Sequence, residues 1–183
     1  MLLNLPFLKD YDNSLQASAE VAAKFLAGTN NLNLHVSFPI EILPPLKEIG
    51  LEVKYFSSVR PCSFELGELK STYPYLQIHG DINSLERVWE KAILEGLFEQ
   101  KKLDVHELLE NFSQHSLIIA GADSGEIYGK ESKPIYVPVT GFDEEGVFYH
   151  DLPAGEENCK LTYRAFAKAN EKMNNDIILI KRN

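Results

Sequence analysis

The sequence predicts a single α+β domain of 183 residues. Helical patterns come first along the chain, apolar strands and an antiparallel hairpin come later, and no alternation of strand and helix indicates a parallel sheet. The composition, 44% hydrophobic and 25% charged, is that of an ordinary globular protein, and a chain of this length can bury one core. One domain over residues 1–183 is therefore the expectation.

The first part of the chain contains signals for two helices and one strand. Residues 12–14, Asp-Asn-Ser, offer N-cap side chains to an alanine-rich helix over 15–26, and Gly28 follows as a stop signal. Residues 44–45, Pro-Pro, open a short helix. Residues 51–56 then alternate as a strand does, so helix followed by strand is the predicted local order.

The middle of the chain is less regular. Residues 57–80 are predicted to be a loop with short strands, for example at 75–78, because glycines and prolines interrupt them. Asn83 begins a helix with one apolar stripe, and Asp104 caps another helix. The apolar run at 117–120 predicts a buried strand.

The last part of the chain contains the clearest strand signal. A polar loop at 121–133 precedes two apolar stretches, 135–142 and 147–151, which form a hairpin around an acidic turn. Thr162 can cap a following helix, and 177–180 predicts a final strand. The helices and the hairpin together define the α+β class.

Composition and charge exclude several classes of function. The net charge is −9, and the lysines and arginines are scattered, so nucleic acid is not an expected partner. No apolar run approaches the roughly 18 residues of a membrane span, and the first residues lack the basic region of a signal peptide, so we expect a cytoplasmic protein. Cys62 and Cys159 form no Cys-x-x-Cys pair and are expected to be free, and we expect no metal or cofactor.

The hairpin resembles a segment of a known family. Residues 135–151 read Ile-Tyr-Val-Pro-Val-Thr-Gly-Phe-Asp-Glu-Glu-Gly-Val-Phe-Tyr-His-Asp. This pattern resembles the hairpin of papain-like cysteine peptidases, in the branch of the bacteriocin-processing, or double-glycine, peptidases, where it begins with the catalytic His and ends with the triad Asp. By this resemblance Ile135 stands at the His position, and Asp151 is the retained triad-type residue.

The N-terminal region is similar to the motif in which that family places its catalytic Cys at a helix start. Counting from Ala17-Ser18 puts the Cys position at Ser14, whereas counting back from the helix end puts it at Leu15. The family's oxyanion-binding Gln falls near Lys9. The resemblance implies a papain-like fold, with an N-terminal helix packed on a C-terminal antiparallel sheet and a helical insertion at about 81–112.

The resemblance also implies a function without the family's chemistry. Asp151 can orient a His, but it cannot by itself activate the hydroxyl of Ser14. We therefore expect a non-catalytic papain-like domain, a pseudopeptidase, that binds a peptide or protein partner through the former active-site cleft. Lys9, Gln16 and Tyr136 are the candidate binding residues. The other interpretations of Asp151 are a cap for the following turn and a solvated strand end.

Two alternatives remain open at the level of sequence. One is an active hydrolase, a peptidase or amidase, with a rearranged nucleophile, Ser14 or Cys62, working with His150 or His115. The other is a structural or oligomerising subunit, for which a large exposed apolar face is expected. Without such roles, we expect Ser14 to be the N-cap of the first helix and His150 and the other histidines to be surface or cap residues.

Overall fold

The computed structural model of the chain describes residues 2–6, 13–29, 32, 36, 38–74 and 82–183. The predicted strand at 75–78, the candidate residue Lys9, and two of the histidines, His35 and His79, lie outside these residues. Within the described part of the chain, no helix has the length and apolar character needed to cross a bilayer.

Seven α-helices and seven strands are present among the described residues. The helices are α1 Ser14–Ala22, which continues as a π-helical turn over Ala23–Ala27, α2 Leu43–Glu48, α3 Leu66–Thr72, α4 Ile82–Leu94, α5 Val105–Asn111, α6 Ser124–Tyr128 and α7 Tyr163–Glu171. The strands are β1 Leu51–Ser57, β2 Phe98–Gln100, β3 Ser116–Asp123, β4 Pro134–Phe142, β5 Gly146–Asp151, β6 Glu156–Thr162 and β7 Ile177–Arg182. The predicted helix over 15–26 and the predicted strands in β1, β3 and β7 are confirmed.

All seven strands belong to one mixed sheet, in the order β2-β1-β7-β3-β4-β5-β6. The α+β class is confirmed, but the expectation of a purely antiparallel, C-terminal sheet is wrong. The β1–β2 pair is parallel, and β1 comes from the first third of the chain. The last strand, β7, pairs with both β1 and β3 and so joins the early and late parts of the chain.

The sheet is covered on both faces, and strand alternation assigns each side chain to one of two cores. On β3, Leu117 and Ile119 belong to the core under α1, α2 and α4, whereas Ile118 and Ala120 belong to the core under α7. Successive residues of a strand point to opposite faces, so a continuous apolar run is expected when both faces are buried. The two sides are called below the α1 face and the α7 face.

The predicted hairpin is confirmed as β4 and β5. Asp143 stabilises its turn, because the carboxylate accepts hydrogen bonds from the backbone N–H groups of Glu145 at 2.9 Å and Gly146 at 3.0 Å. Gly146 has a steric role, since a Cβ atom there would lie 2.0 Å from the carbonyl oxygen of Leu161 on β6. The acidic turn and its glycine therefore allow β6 to pair closely with β5.

Sequence reasoning missed four short elements. Helix α3 lies within residues 57–80, so the prediction of a loop with short strands is wrong for Leu66–Thr72. Strand β2 lies within the predicted helical insertion at 81–112, between α4 and α5, and it forms one edge of the sheet. Strand β6 forms the other edge and is mostly exposed, so it lacks an apolar alternation. Helix α6 lies within the predicted polar loop at 121–133 and is capped by Asp123, whose carboxylate accepts from the N–H of Glu126 at 3.0 Å.

Candidate functional site

The start of α1 is capped by Asn13, so the prediction that Ser14 is the N-cap is wrong. The side-chain oxygen of Asn13 accepts from the N–H groups of Leu15 and Gln16, each at 3.1 Å, and its amide donates to the carbonyl of Val36 at 2.8 Å. Helix N-termini stabilise anions through such unpaired N–H groups. Here the neutral side chain of Asn13 already accepts hydrogen bonds from two of these N–H groups.

Ser14 instead holds α1 against β4. Its hydroxyl oxygen accepts from the backbone N–H of Tyr136 at 2.9 Å, and the hydroxyl of Ser18, one turn later, donates to the carbonyl of Tyr136 at 2.9 Å. Strand β5 pairs with β4 only from Val139 onward. The two serines therefore form hydrogen bonds with a part of the β4 backbone that β5 does not pair with. Because these groups are buried, each needs a hydrogen-bond partner within the protein.

Ile135 and Tyr136 point to opposite faces of the sheet. The Ile135 side chain is buried in the core of the α7 face, whereas Tyr136 belongs to the core of the α1 face. The position predicted to correspond to the catalytic His therefore faces away from Ser14. The residue that faces α1 is Tyr136, and its hydroxyl donates to a carboxylate oxygen of Asp176 at 2.9 Å.

Asp176 is the centre of a buried polar network that sequence reasoning missed. Its carboxylate is 0% exposed and accepts from the hydroxyls of Tyr136 and Tyr55, the latter at 2.7 Å. Burial and then the charge of Asp176 raise the pKa of Tyr73, so that phenol stays neutral. Asn170 donates to the Asp176 carbonyl at 3.0 Å. The only sequence signal was an acidic residue directly before an apolar strand.

Asp151 caps the turn that follows β5, which was one of its three interpretations. One carboxylate oxygen accepts from the N–H of Ala154 at 2.9 Å, and the other accepts from the hydroxyl of Tyr128 on α6. Burial, followed by the hydrogen bond to Asp151, raises the pKa of Tyr128. The expectation of a solvated strand end is wrong, because Asp151 is 1% exposed.

His150 is buried, so the prediction of a surface histidine is wrong. Only 1% of the residue is exposed, and Nδ1 accepts from the backbone N–H of Asn158 at 3.2 Å. Burial lowers the pKa of His150, and an interaction with the backbone of Leu5 opposes this effect. His150 and Asp151 thus have different partners, as expected for neighbours on a strand.

The remaining candidates are dispersed. Gln16 is half-buried on α1 and its amide donates to Glu20 at 3.1 Å, while Leu15 is buried in the core of the α1 face. Cys62 is an exposed free thiol on the loop before α3. Burial, followed by a contact with Glu156, raises the pKa of the Cys159 thiol to about 11, which disfavours the reactive thiolate. His115 is exposed.

The catalytic positions predicted from the hairpin and from α1 do not meet at one point. Ser14 contacts Tyr136, Ile135 lies in the opposite core, and Asp151 contacts α6. Among the described residues, no group of three or more His, Cys, Asp or Glu side chains could hold a metal ion. Comparison of this chain with protein-family models, curated proteins and solved structures yields no match.

Proposed function

We propose that this chain is a non-catalytic domain of the papain-like group that binds a peptide or protein partner. One observation supports the absence of catalysis most directly. At Ser14, one of the two positions where the family would place its nucleophile, the hydroxyl accepts the Tyr136 N–H and serves as a packing contact. The resemblance of residues 135–151 to the family's hairpin supports the choice of fold group.

The chemistry around Ser14 supports the same proposal. A serine nucleophile needs a general base within hydrogen-bond reach. The side chain that faces α1 from β4 is Tyr136, a phenol whose proton is donated to Asp176, and a phenol of this kind does not accept a proton at neutral pH. The carboxylate of Asp151, the retained triad-type residue, accepts hydrogen bonds from the Tyr128 hydroxyl and the Ala154 N–H. We therefore expect no turnover.

The proposed binding surface is the rim of α1 beside the start of β4. Gln16 and Glu20 are half-buried there, one turn apart on α1, and they contact each other at 3.1 Å. The chain carries a net charge of −9, which steers basic partners toward it. We propose an extended peptide segment with basic residues as the partner, bound by the amide of Gln16 and the carboxylate of Glu20.

A library of extended basic peptides, screened by fluorescence polarisation, tests the binding. For the peptides that bind most tightly, we expect Glu20→Lys to weaken binding about tenfold or more, because the carboxylate is replaced by a positive charge that repels a basic peptide. Glu90→Lys is the matched control, since Glu90 is exposed on α4 and carries the same change of charge. An equal loss in both variants would indicate charge attraction without a site and would contradict the proposed surface.

Turnover is tested separately with fluorogenic peptides and a thiol-reactive peptidyl probe. The proposal predicts no product and no labelling beyond that of an exposed thiol. Specific turnover that disappears in Ser14→Ala or Cys62→Ala would establish the alternative of a rearranged hydrolase. The folded state of each variant is checked by circular dichroism, so that loss of structure is not mistaken for loss of a nucleophile.

A specific observation also favours a second candidate function, an oligomerising subunit. Leu94, at the end of α4, is 87% exposed. Its neighbour in sequence, Glu95, lines a groove of about 240 Å³ between α2 and α4. The apolar walls of the groove are formed by Pro44, Val88, Ala92 and Leu97, and the charged residues are Lys47, Glu48, Lys91 and Glu95. Two lysines and two glutamates make this surface complementary to a second copy of itself.

Sedimentation velocity over a wide concentration range tests the second candidate. A dimer whose contact includes both this groove and the exposed Leu94 is expected to dissociate in Leu94→Asp, because a charge would enter an apolar contact. Leu66→Asp is the control, since Leu66 is also partly exposed but lies on α3. A wild-type chain that remains a monomer at the highest concentration excludes this function.

A further inference from the structure

A cavity on the α7 face of the sheet lies apart from the residues described above. It has a volume of about 220 Å³ and lies over strands β1 and β7, beside the end of α5. Its lining consists of Glu52, Val53, Lys54 and Phe56 of β1, Leu179 and Lys181 of β7, and Asn111 of α5. The volume is that of about seven water molecules, so the cavity suits a small ligand.

The floor of the cavity is apolar and its rim is charged. Glu52, Lys54 and Phe56 occupy alternate positions of β1, as Leu179 and Lys181 do on β7, so within each strand these side chains share a face of the sheet. Phe56 and Leu179 belong to the core of the α7 face and are 8% and 7% exposed. Glu52 is exposed, and the two lysines are partly exposed. A ligand would therefore meet apolar surface below and charges at the edge.

The charge of Lys54 is neutralised within the protein. Its Nζ atom lies 2.5 Å from a carboxylate oxygen of Glu99 on β2. The same atom lies 5.2 Å from the centroid of the Phe56 ring, so the side chain covers part of the apolar floor. Lys54 therefore forms a wall of the cavity, and the charges that a ligand can meet are those of Glu52 and Lys181.

The ammonium of Lys181 is held in place without being neutralised. Its Nζ atom donates to the side-chain oxygen of Asn111 at 3.2 Å, and this amide carries no charge. Asn111 is itself fixed, because its amide nitrogen donates to the carbonyl of Glu107 at 2.8 Å. An ammonium has three N–H donors, so the bond to Asn111 leaves donors for an anionic group of a ligand.

Glu52 is the cross-strand neighbour of Lys181, yet the two do not form an ion pair. They stand directly opposite each other in the register of β1 and β7, where opposite charges attract. Within the described part of the chain, however, neither side chain forms an ion pair, and Lys181 binds Asn111 instead. One negative and one positive group are therefore both available at the rim of the cavity.

We propose that this cavity binds a free apolar α-amino acid such as leucine. The carboxylate of the amino acid binds the ammonium of Lys181, its ammonium binds the carboxylate of Glu52, and its side chain lies on Phe56 and Leu179. A free amino acid carries both charges beside a compact apolar group, whereas the terminal residue of a peptide retains only one of the two charges. This inference does not depend on the proposed function.

NMR titration of the intact chain with leucine tests the site. We expect saturable shifts of the backbone amides of Glu52, Lys54 and Lys181, with half-saturation at about 1 mM or below. Two analogues each lack one charge: isocaproate has no ammonium, and isoamylamine has no carboxylate. Each should bind about threefold to tenfold more weakly than leucine, because it leaves one charge at the rim without a partner.

Two variants assign each charge of the ligand to its partner. Lys181→Gln should weaken the binding of leucine about threefold to tenfold but leave that of isoamylamine unchanged. Glu52→Gln should weaken the binding of leucine by a similar factor but leave that of isocaproate unchanged. Lys70→Gln and Glu68→Gln are the matched controls, since both residues are exposed on α3 and undergo the same changes of charge. Both controls should bind leucine as the wild type does.

Several results would overturn the site. One is the absence of a saturable shift of these amides at about 10 mM leucine. Another is an analogue that binds as tightly as leucine, because the cavity would then accept a single charge, as one terminus of a peptide offers. A third is an equal loss of leucine binding in Lys181→Gln and Lys70→Gln, or in Glu52→Gln and Glu68→Gln, which would indicate an effect of net charge alone.

Discussion

The two faces of the sheet use buried polar groups in different ways. On the α1 face, hydrogen bonds connect distant parts of the chain: Ser14 and Tyr136 are 122 residues apart, and Tyr55 and Asp176 are 121 apart. On the α7 face, the Asp151 carboxylate binds a backbone N–H group only three residues away. The first face depends on the assembled tertiary structure, whereas the second uses local caps and turns.

This difference has an energetic consequence. A buried polar group that loses its partner retains its desolvation cost, whereas a group near solvent can recover hydration. The α1-face groups Ser14, Ser18, Tyr136 and Asp176 are all buried, so each lost bond leaves a partner in the core. Tyr128, the long-range partner of Asp151, is partly exposed. Substitutions on the α1 face should therefore destabilise the chain more than substitutions on the α7 face.

The largest effect is expected for Asp176→Ala. The substitution leaves the hydroxyls of Tyr55 and Tyr136 in the core without their carboxylate acceptor, at about 1–3 kcal/mol for each unsatisfied group. We expect a loss of about 2–5 kcal/mol in the free energy of unfolding, measured by urea denaturation. Asp104→Ala, which removes an exposed cap of α5, is the control and should cost about 1 kcal/mol. Equal effects would contradict the distinction between buried networks and local caps.

An intermediate effect is expected for Ser14→Ala and Ser18→Ala. Each leaves one backbone group of Tyr136 unsatisfied and should cost about 1–3 kcal/mol. Because both hydroxyls bind the backbone of one residue, the double variant should cost measurably less than the sum of the two. Denaturation of the wild type, the two single variants and the double variant gives the coupling energy between the two serines. Strict additivity would show that the serines act independently.

The smallest effect is expected for Tyr128→Phe. It removes the phenol that donates to Asp151 but leaves the Ala154 N–H on that carboxylate, so the loss should be about 1 kcal/mol. In the companion variant Asp151→Asn, the pKa of Tyr128 should fall, because the hydrogen bond and charge of Asp151 raise it in the wild type. Ultraviolet titration measures this change. A Tyr128 pKa that is unchanged in Asp151→Asn would show that burial alone is responsible.

The sequence predicted those parts of the fold that depend on neighbouring residues. The hairpin of β4 and β5, the cap of α7 by Thr162 and the stop at Gly28 follow from side chains within a few positions of each other. Strand β6 was missed because its edge position leaves it exposed and without an alternating pattern. Asp176 was missed because its phenol partners, Tyr55 and Tyr136, lie 121 and 40 residues away from it in the sequence.

The candidate site was harder to predict than the fold because orientation depends on register. A shift of one residue moves a strand side chain to the other face. The resemblance placed the His position at Ile135, but pairing of β4 with β3 turns Ile135 to the α7 face and Tyr136 to α1. The burial of His150 was equally hidden, since no pattern near β5 in the sequence distinguishes a buried strand histidine from an exposed one.

The sequence by itself determined the α+β class, the first helix, the hairpin and the absence of a metal-binding cysteine motif, because caps, turns and periodicity act over short distances. Tertiary structure decided that Ser14 is a packing contact, that Asp151 caps a turn, and that the buried His150 binds the backbone of β6. These roles arise only when the pairing and register of the strands bring residues that are distant in the sequence into contact. A side chain's chemistry follows from its residue type, but its partner follows from the fold.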